Sequence, residues 1–200
     1  MECQIDLTKK QDLSFLRNLC RSVSLKRIKR HSFIDSITHG DLTRNISLNQ
    51  EQHWLSVIFV KSKGIRFIFK TQYLTKDVRD FAANAYGENF GMNNLSKRMM
   101  DEFVKEFCNL MGGGIKEHFE KNGLTSEMSL PLLTRGQDSV FFKPSSPDLY
   151  EEVLSEAWEL KLGGSSLVCE AYFEIYSRDS LARICNEVPL AEAGGEIELF

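Results

Sequence analysis

The sequence predicts an α+β fold in which helices, including one long helix, pack on one face of a mainly antiparallel sheet. Apolar residues recur at helical spacing over residues 94–121, which indicates an amphipathic helix. Two pairs of β-rich segments are joined by short glycine-containing linkers, at residues 61–64 and 161–166, as in β-hairpins. Because hairpins make neighbouring strands antiparallel, the helices are expected to collect on one face of the sheet.

The N-terminal region is predicted to begin with a short amphipathic helix over residues 12–23, where leucines recur at helical spacing. Residues 25–30 are rich in lysine and arginine, and a solvated helix end is favoured over a nucleic-acid patch. Residues 31–52 are polar and irregular, with one candidate strand at residues 44–48. This region therefore contributes little predicted sheet.

The first hairpin is predicted to join strands at residues 53–60 and 64–71. In the second strand the apolar residues alternate, so one of its faces is fully apolar. A helix over residues 76–86 follows, with Thr75 as its N-cap and Gly87 as its end. A loop then leads into the long helix.

The second half of the chain is predicted to be rich in strands. The Asn122-Gly123 pair ends the long helix, and Pro131 opens the next section. The candidate strands are residues 128–133, 139–143, 155–162 and 167–176.

The predicted domain organisation has three parts. Residues 1–40 form an N-terminal helix and variable segment, residues 41–185 form the α+β domain, and residues 186–200 form a C-terminal tail. The predicted domain has the ordinary size of a single folding unit.

Composition narrows the function classes. The formal net charge of −3 argues against nucleic acid as the main partner. No apolar run reaches the roughly 18 residues of a membrane span, and the polar N-terminus does not resemble a signal peptide, so neither a membrane nor export is expected. Five cysteines without a CxxC motif or a Cys/His cluster indicate reduced thiols and a cytoplasmic protein without a metal site.

The most informative residues are four that share one face of the long helix. Glu102, Glu106 and Asn109 stand at i, i+4 and i+7, and Gly113 is one turn further on. An ideal helix places them within about 60° of arc, away from the apolar stripe. A carboxylate beside a carboxamide, with a small residue beyond, makes a polar surface that another molecule could approach closely. Spacing alone is more typical of an ordinary solvated helix face than of a functional site.

The same residues resemble the motif of the CheC/CheX/FliY chemotaxis phosphatases. In that motif an acidic residue or serine is followed by Glu, Asn and, after a longer spacer, Pro; here these are Glu102, Glu106, Asn109 and Pro131. The resemblance covers most of residues 45–177 and is closest to CheX, which keeps a single such motif. The first position departs from the pattern, since the family has Asp or Ser where this chain has Glu102.

The resemblance implies a phosphatase that hydrolyses the aspartyl phosphate of a CheY-like response-regulator receiver domain. In this interpretation Asn109 orients the attacking water and Glu106 anchors the partner, while Glu102 and Gly113 line the contact. The protein needs no cofactor of its own, because the Mg²⁺ belongs to the receiver. The resemblance also implies a homodimer formed through sheet edges.

Two alternatives stand beside this interpretation. A non-catalytic CheX-like adaptor in two-component or flagellar signalling would share the fold and the partner. An unrelated small-molecule enzyme has little support, because the sequence shows no phosphate loop, dinucleotide fingerprint, metal cluster or Ser/His/Asp spacing. Cys108, next to Asn109, is interpreted as a structural thiol, since no histidine stands where it could activate the sulfur.

Overall fold

The computed structural model describes residues 2–42, 53–90, 95–136, 138, 142 and 150–185, with the backbone alone for 2–8 and 87–90. Four helices and seven strands are found among these residues. The elements are α1 (Glu2–Ser32), β1 (Thr38–Asp41), β2 (Trp54–Ser62), β3 (Ile65–Tyr73), α2 (Thr75–Phe90), α3 (Lys97–Lys121), β4 (Ser126–Met128), β5 (Leu132–Arg135), β6 (Glu152–Leu162), β7 (Ser165–Ile175) and α4 (Arg178–Cys185).

The seven strands found among the described residues form one antiparallel sheet in the order β1-β6-β7-β3-β2-β4, with β5 also paired to β2. The helices α1 to α4 cover one face of this sheet and share the main hydrophobic core with it. A smaller cluster around Leu55, Val57 and Ile68 lies on the other face. The predicted α+β fold class is confirmed.

Both predicted hairpins are present. β2 and β3 pair from Trp54 opposite Tyr73 to Ser62 opposite Ile65, and β6 pairs with β7 along its whole length. The apolar face of β3 meets the helices, since the Phe69 ring lies 5.9 Å from that of Phe107 in α3. These central strands therefore provide the floor on which α3 rests.

The N-terminal helix is much longer than the predicted 12–23. Its buried face contains serines at positions where a sequence pattern expects apolar residues, and Ser24 is fully buried. The Ser24 hydroxyl accepts a 3.1 Å hydrogen bond from the indole nitrogen of Trp158 in β6. Because Leu16 and Ile28 on either side are also fully buried, α1 belongs to the main core.

Several predicted boundaries are wrong. Gly87 lies inside α2 rather than at its end. The strand predicted at 128–133 is two short strands, β4 and β5, because Pro131 between them has no N–H to donate to the ladder. The sequence pattern did not reveal β1 or α4. The candidate strand at 44–48 lies outside the described residues, as does 139–143 apart from residue 142.

Candidate functional site

Both ends of the long helix α3 are defined by local hydrogen bonding and backbone geometry. Ser96 is its N-cap, and the Ser96 side chain accepts a hydrogen bond from the backbone nitrogen of Met99 at 3.3 Å. At the other end the chain leaves the helix at Asn122, and Gly123 then adopts a φ of 75°, which glycine tolerates without strain. The helix therefore begins and ends close to the predicted positions.

The first turn of α3 is also held by charged contacts to the sheet. The Lys97 ammonium lies 3.5 Å from the centre of the Trp54 ring, and the Arg135 guanidinium lies 4.6 Å from it. Lys97 pairs with Asp101 at 2.5 Å, and Asp101 accepts a 3.2 Å hydrogen bond from the Tyr73 hydroxyl. These contacts fix the rotation of α3, and so decide which residues face outward.

The structure brings the predicted residues together on the outward face of α3. Glu102 and Glu106 are exposed, and Asn109 and Gly113 are half-buried. The amide nitrogen Nδ2 of Asn109 donates to Oε2 of Glu106 over 3.4 Å. A carboxylate and a carboxamide thus stand side by side at the surface, where the amide can both donate and accept hydrogen bonds to an approaching molecule.

Glu102 has a partner that the sequence analysis did not consider. Its Oε1 lies 2.7 Å from the ammonium of Lys105, one turn along the helix. The Glu102 side chain remains 54% exposed, so it can still contact a partner. Lys105 partly neutralises the charge of Glu102. Glu106, in contrast, contacts the amide of Asn109.

The three successive glycines of α3 have three different surroundings. A Cβ on Gly112 would meet Met128 Sδ at 2.9 Å and Ile58 Cδ1 at 3.0 Å, whereas one on Gly114 would meet Val23 Cγ1 at 2.6 Å. A Cβ on Gly113 would meet nothing within 4 Å. Gly112 and Gly114 therefore allow α3 to approach β2 and α1, while Gly113 leaves a shallow, open surface one turn beyond Asn109.

Two residues from neighbouring helices border this face and were not predicted. The ring of Tyr86 in α2 lies edge-on to Phe103 at 6.5 Å, and the ring of His31 in α1 stacks on Phe103 at 4.2 Å. Partial burial raises the pKa of Tyr86, and the Glu102 and Glu106 carboxylates raise it further.

His31 is held as a neutral ring. Its Nε2 donates to the backbone carbonyl of Phe103 at 3.1 Å. Burial lowers the pKa of His31, against the opposing effects of that hydrogen bond and of the Glu106 carboxylate. No motif marks Tyr86 or His31, so their position beside the α3 face emerges only from the packing.

The cysteine beside Asn109 faces inward. Cys108 is fully buried, its thiol lies 3.5 Å from Thr71 Oγ1, and burial raises its pKa to about 11. A thiol that stays protonated at neutral pH is a poor nucleophile, in agreement with the structural interpretation. Among the residues that the structure describes, no group of His, Cys, Asp and Glu could hold a metal ion, and no helix has the length and apolar character needed to cross a membrane.

Comparison with known proteins gives matches in structure only. No family model and no curated protein matches the sequence. CheX from Vibrio vulnificus aligns with a TM-score of 0.58 and 15% identity, over 80% of this chain and 99% of that chain. A CheC-like protein from Shewanella oneidensis aligns with a TM-score of 0.56 and 19% identity, over 78% and 96%.

A third solved structure is a complex. The CheX–CheY–BeF₃–Mg²⁺ complex from Borrelia burgdorferi contains a chain that aligns with a TM-score of 0.56 and 11% identity, over 80% of this chain and 97% of that chain. This chain has the CheC/CheX-like fold. The resemblance found in the motif is thus confirmed at the level of architecture. The CheX-like fold spans nearly the whole of the matched chains, and here it presents Glu106 and Asn109 on the outer face of α3.

Proposed function

We propose that this CheX-like protein hydrolyses the aspartyl phosphate of a CheY-like receiver domain. The observation that carries the proposal is the pairing of Asn109 with Glu106 on the exposed face of α3, with 3.4 Å between Nδ2 and Oε2. Support comes from the fold, since CheX of B. burgdorferi has been solved with CheY, BeF₃ and Mg²⁺. The chemistry of the two side chains supplies the rest of the argument.

The proposed role of Asn109 is to hold the attacking water. Phosphoryl transfer requires mainly positioning and charge stabilisation, and the metal ion that supplies much of the latter belongs to the receiver. A neutral carboxamide can accept a hydrogen bond from water and donate one to phosphate or backbone oxygens. It can therefore orient the water in line with the acyl phosphate without adding negative charge.

The proposed role of Glu106 is docking. Its exposed carboxylate is suited to an ion pair with a cationic side chain of the receiver, which would set the register of α3 against the phosphorylation site. Direct catalysis by Glu106 is disfavoured because a carboxylate is repelled by a phosphoryl group at close range. Its contact with Asn109 means that docking and water placement are geometrically coupled.

The test of catalysis is phosphate release from a receiver labelled at its aspartate, with and without the protein. Asn109→Ala is expected to abolish the acceleration while the receiver still binds, since only the water-orienting amide is lost. Asn18→Ala removes an exposed amide from α1 and is the matched control. Parental hydrolysis by Asn109→Ala would contradict the proposed mechanism.

The test of docking compares two charge-reversal variants of α3, one at the proposed contact and one as a control. Glu106→Lys is expected to weaken binding of the receiver by at least tenfold, because it places like charges opposite each other. Glu120→Lys makes the same change at another exposed position of the helix and should leave affinity nearly unchanged. If the wild-type protein binds an activated receiver without accelerating hydrolysis, the adaptor alternative is correct.

A further inference from the structure

We propose that Phe33, at the corner between α1 and β1, is an apolar anchor for the same receiver domain. This inference rests on the proposed function and extends its contact surface beyond α3. Phe33 is 75% exposed, so its ring contributes little to the core of this protein. Exposure of a single apolar residue is common and would carry nothing by itself.

The backbone at Phe33 makes the residue unusual. Its φ is 57°, and it is the only residue other than glycine with a positive φ in the described part of the chain. The amide of Ile34 bonds to the carbonyl of Lys29 at 3.2 Å, so Phe33 occupies the left-handed position that ends α1. Glycine or asparagine normally fills that position, because a side chain such as phenylalanine strains it.

A strained position that also exposes an aromatic ring favours a role outside the folded core. Phenylalanine at this position strains the backbone, and its mostly exposed ring adds little buried apolar area to the fold. A partner that covered the ring would gain a large apolar contact. The backbone that carries this ring is already fixed by the end of α1. Aromatic side chains of this kind are frequent energetic centres of protein interfaces.

The location of Phe33 favours the same partner that the proposed function assigns to the α3 face. Its carbonyl accepts a hydrogen bond from Asn84 of α2 at 3.5 Å, two residues before Tyr86. His31, two residues before Phe33, stacks on Phe103, which stands between Glu102 and Glu106 along α3. Phe33 therefore borders the surface that contains Glu106. A receiver seated on Glu106 and Asn109 is the occupant that this continuity favours.

The experiment replaces Phe33 in two ways. Phe33→Asn removes the ring and supplies a residue that tolerates the left-handed backbone, whereas Phe33→Tyr keeps both the ring and the strain. Binding is measured with a panel of purified CheY-like receivers from the source genome that are activated with BeF₃⁻ and Mg²⁺. Hydrolysis is measured separately on the same receivers carrying aspartyl phosphate, and thermal unfolding is measured on each variant alone. Phe33→Asn should bind about tenfold more weakly, with an unchanged or higher Tm and an unchanged rate at saturation; Phe33→Tyr should match the wild type.

The outcomes separate this inference from the proposed function. Wild-type affinity in Phe33→Asn overturns the anchor and leaves the Asn109 mechanism intact. A loss of self-association without a loss of receiver binding also overturns it, because a second copy would then be the occupant. If the wild-type protein neither binds nor dephosphorylates any receiver of the panel, the proposed function fails and the receiver anchor fails with it.

Discussion

The Lys105 ammonium lies 2.7 Å from the Glu102 carboxylate, on the same helix face as the Glu106–Asn109 pair. The two acidic positions of the motif are therefore not electrostatically equivalent. Glu102 is already paired within its own helix, whereas Glu106 has the Asn109 amide as its neighbour. An incoming cationic group should consequently depend more on Glu106.

We expect Glu102→Gln to weaken receiver binding only a few-fold, much less than Glu106→Lys. An exposed i,i+3 ion pair stabilises a helix by roughly 0.2–0.5 kcal/mol, so the free energy of unfolding should also change little. Titration with an activated receiver and urea unfolding measure the two effects. A loss of affinity equal to that of Glu106→Lys would show that Glu102 is a principal docking residue.

The glycines of α3 give a matched pair of substitutions. Gly113→Ala should raise the free energy of unfolding by about 0.5–1 kcal/mol, because alanine favours helix and the added Cβ meets nothing. Gly114→Ala should lower it by about 1–3 kcal/mol, because its Cβ would meet Val23 at 2.6 Å. Denaturant unfolding of the two variants checks both signs.

Gly113→Ala should also weaken receiver binding despite its greater stability, because the Cβ stands on the approach surface. The more stable variant is thus expected to be the poorer binder. Unchanged affinity would remove Gly113 from the contact.

The buried His118 and the half-buried His31 predict a loss of stability in mildly acidic solution. Burial lowers the pKa of both His31 and His118 in the folded protein, whereas the unfolded chain takes up protons near the ordinary value of about 6.5. Between these pKa values the unfolded state binds more protons, so the free energy of unfolding falls as pH decreases from about 6.5. Thermal unfolding from pH 8 to pH 5 measures the slope.

The histidine origin of this slope is testable separately. His118→Gln removes a titrating ring whose Nε2 donates to the Ile184 carbonyl at 2.8 Å. The variant should be less stable at pH 8 and show a shallower dependence between pH 5 and pH 7. An unaltered slope in both His118→Gln and His31→Gln would assign the acid sensitivity to other groups.

The expected homodimer has a candidate edge. In the described part of the sheet β4 and β5 pair only with β2. Met128 at the end of β4, Leu130 between the strands and Leu132 at the start of β5 are 36%, 88% and 47% exposed. We predict that Leu132→Lys dissociates the dimer, whereas Thr38→Lys on β1, at the other edge, leaves it intact. Sedimentation at micromolar concentration tests this. A monomeric wild type, or dissociation by Thr38→Lys alone, would contradict the prediction.

The central elements were predictable because their patterns reflect their burial. One face of β3 is fully apolar since Phe67 and Phe69 face the helices, and α3 has a continuous apolar stripe. The outward placement of Glu106 and Asn109 followed from that stripe alone. The family motif added their proposed roles, which spacing cannot supply.

The missed features depend on contacts between distant parts of the chain. The end of α1 was hidden because Ser24 is buried through its bond to Trp158, 134 residues away. The strand β1 has the sequence Thr-His-Gly-Asp, and only its pairing with β6 makes it a strand. Tyr86 and His31 likewise reach the candidate site through tertiary packing on Phe103.

The two tryptophans occupy opposite kinds of environment. Trp158 is fully buried and bonded to Ser24, whereas the half-buried Trp54 lies between the Lys97 and Arg135 cations where α3 begins. Replacing one tryptophan at a time leaves a protein with a single tryptophan, whose fluorescence can be excited selectively. The remaining Trp158 then reports detachment of the N-terminal helix, and the remaining Trp54 reports displacement of the first turn before the Glu106–Asn109 face. Tryptophan fluorescence can thereby distinguish global unfolding from a movement confined to α3.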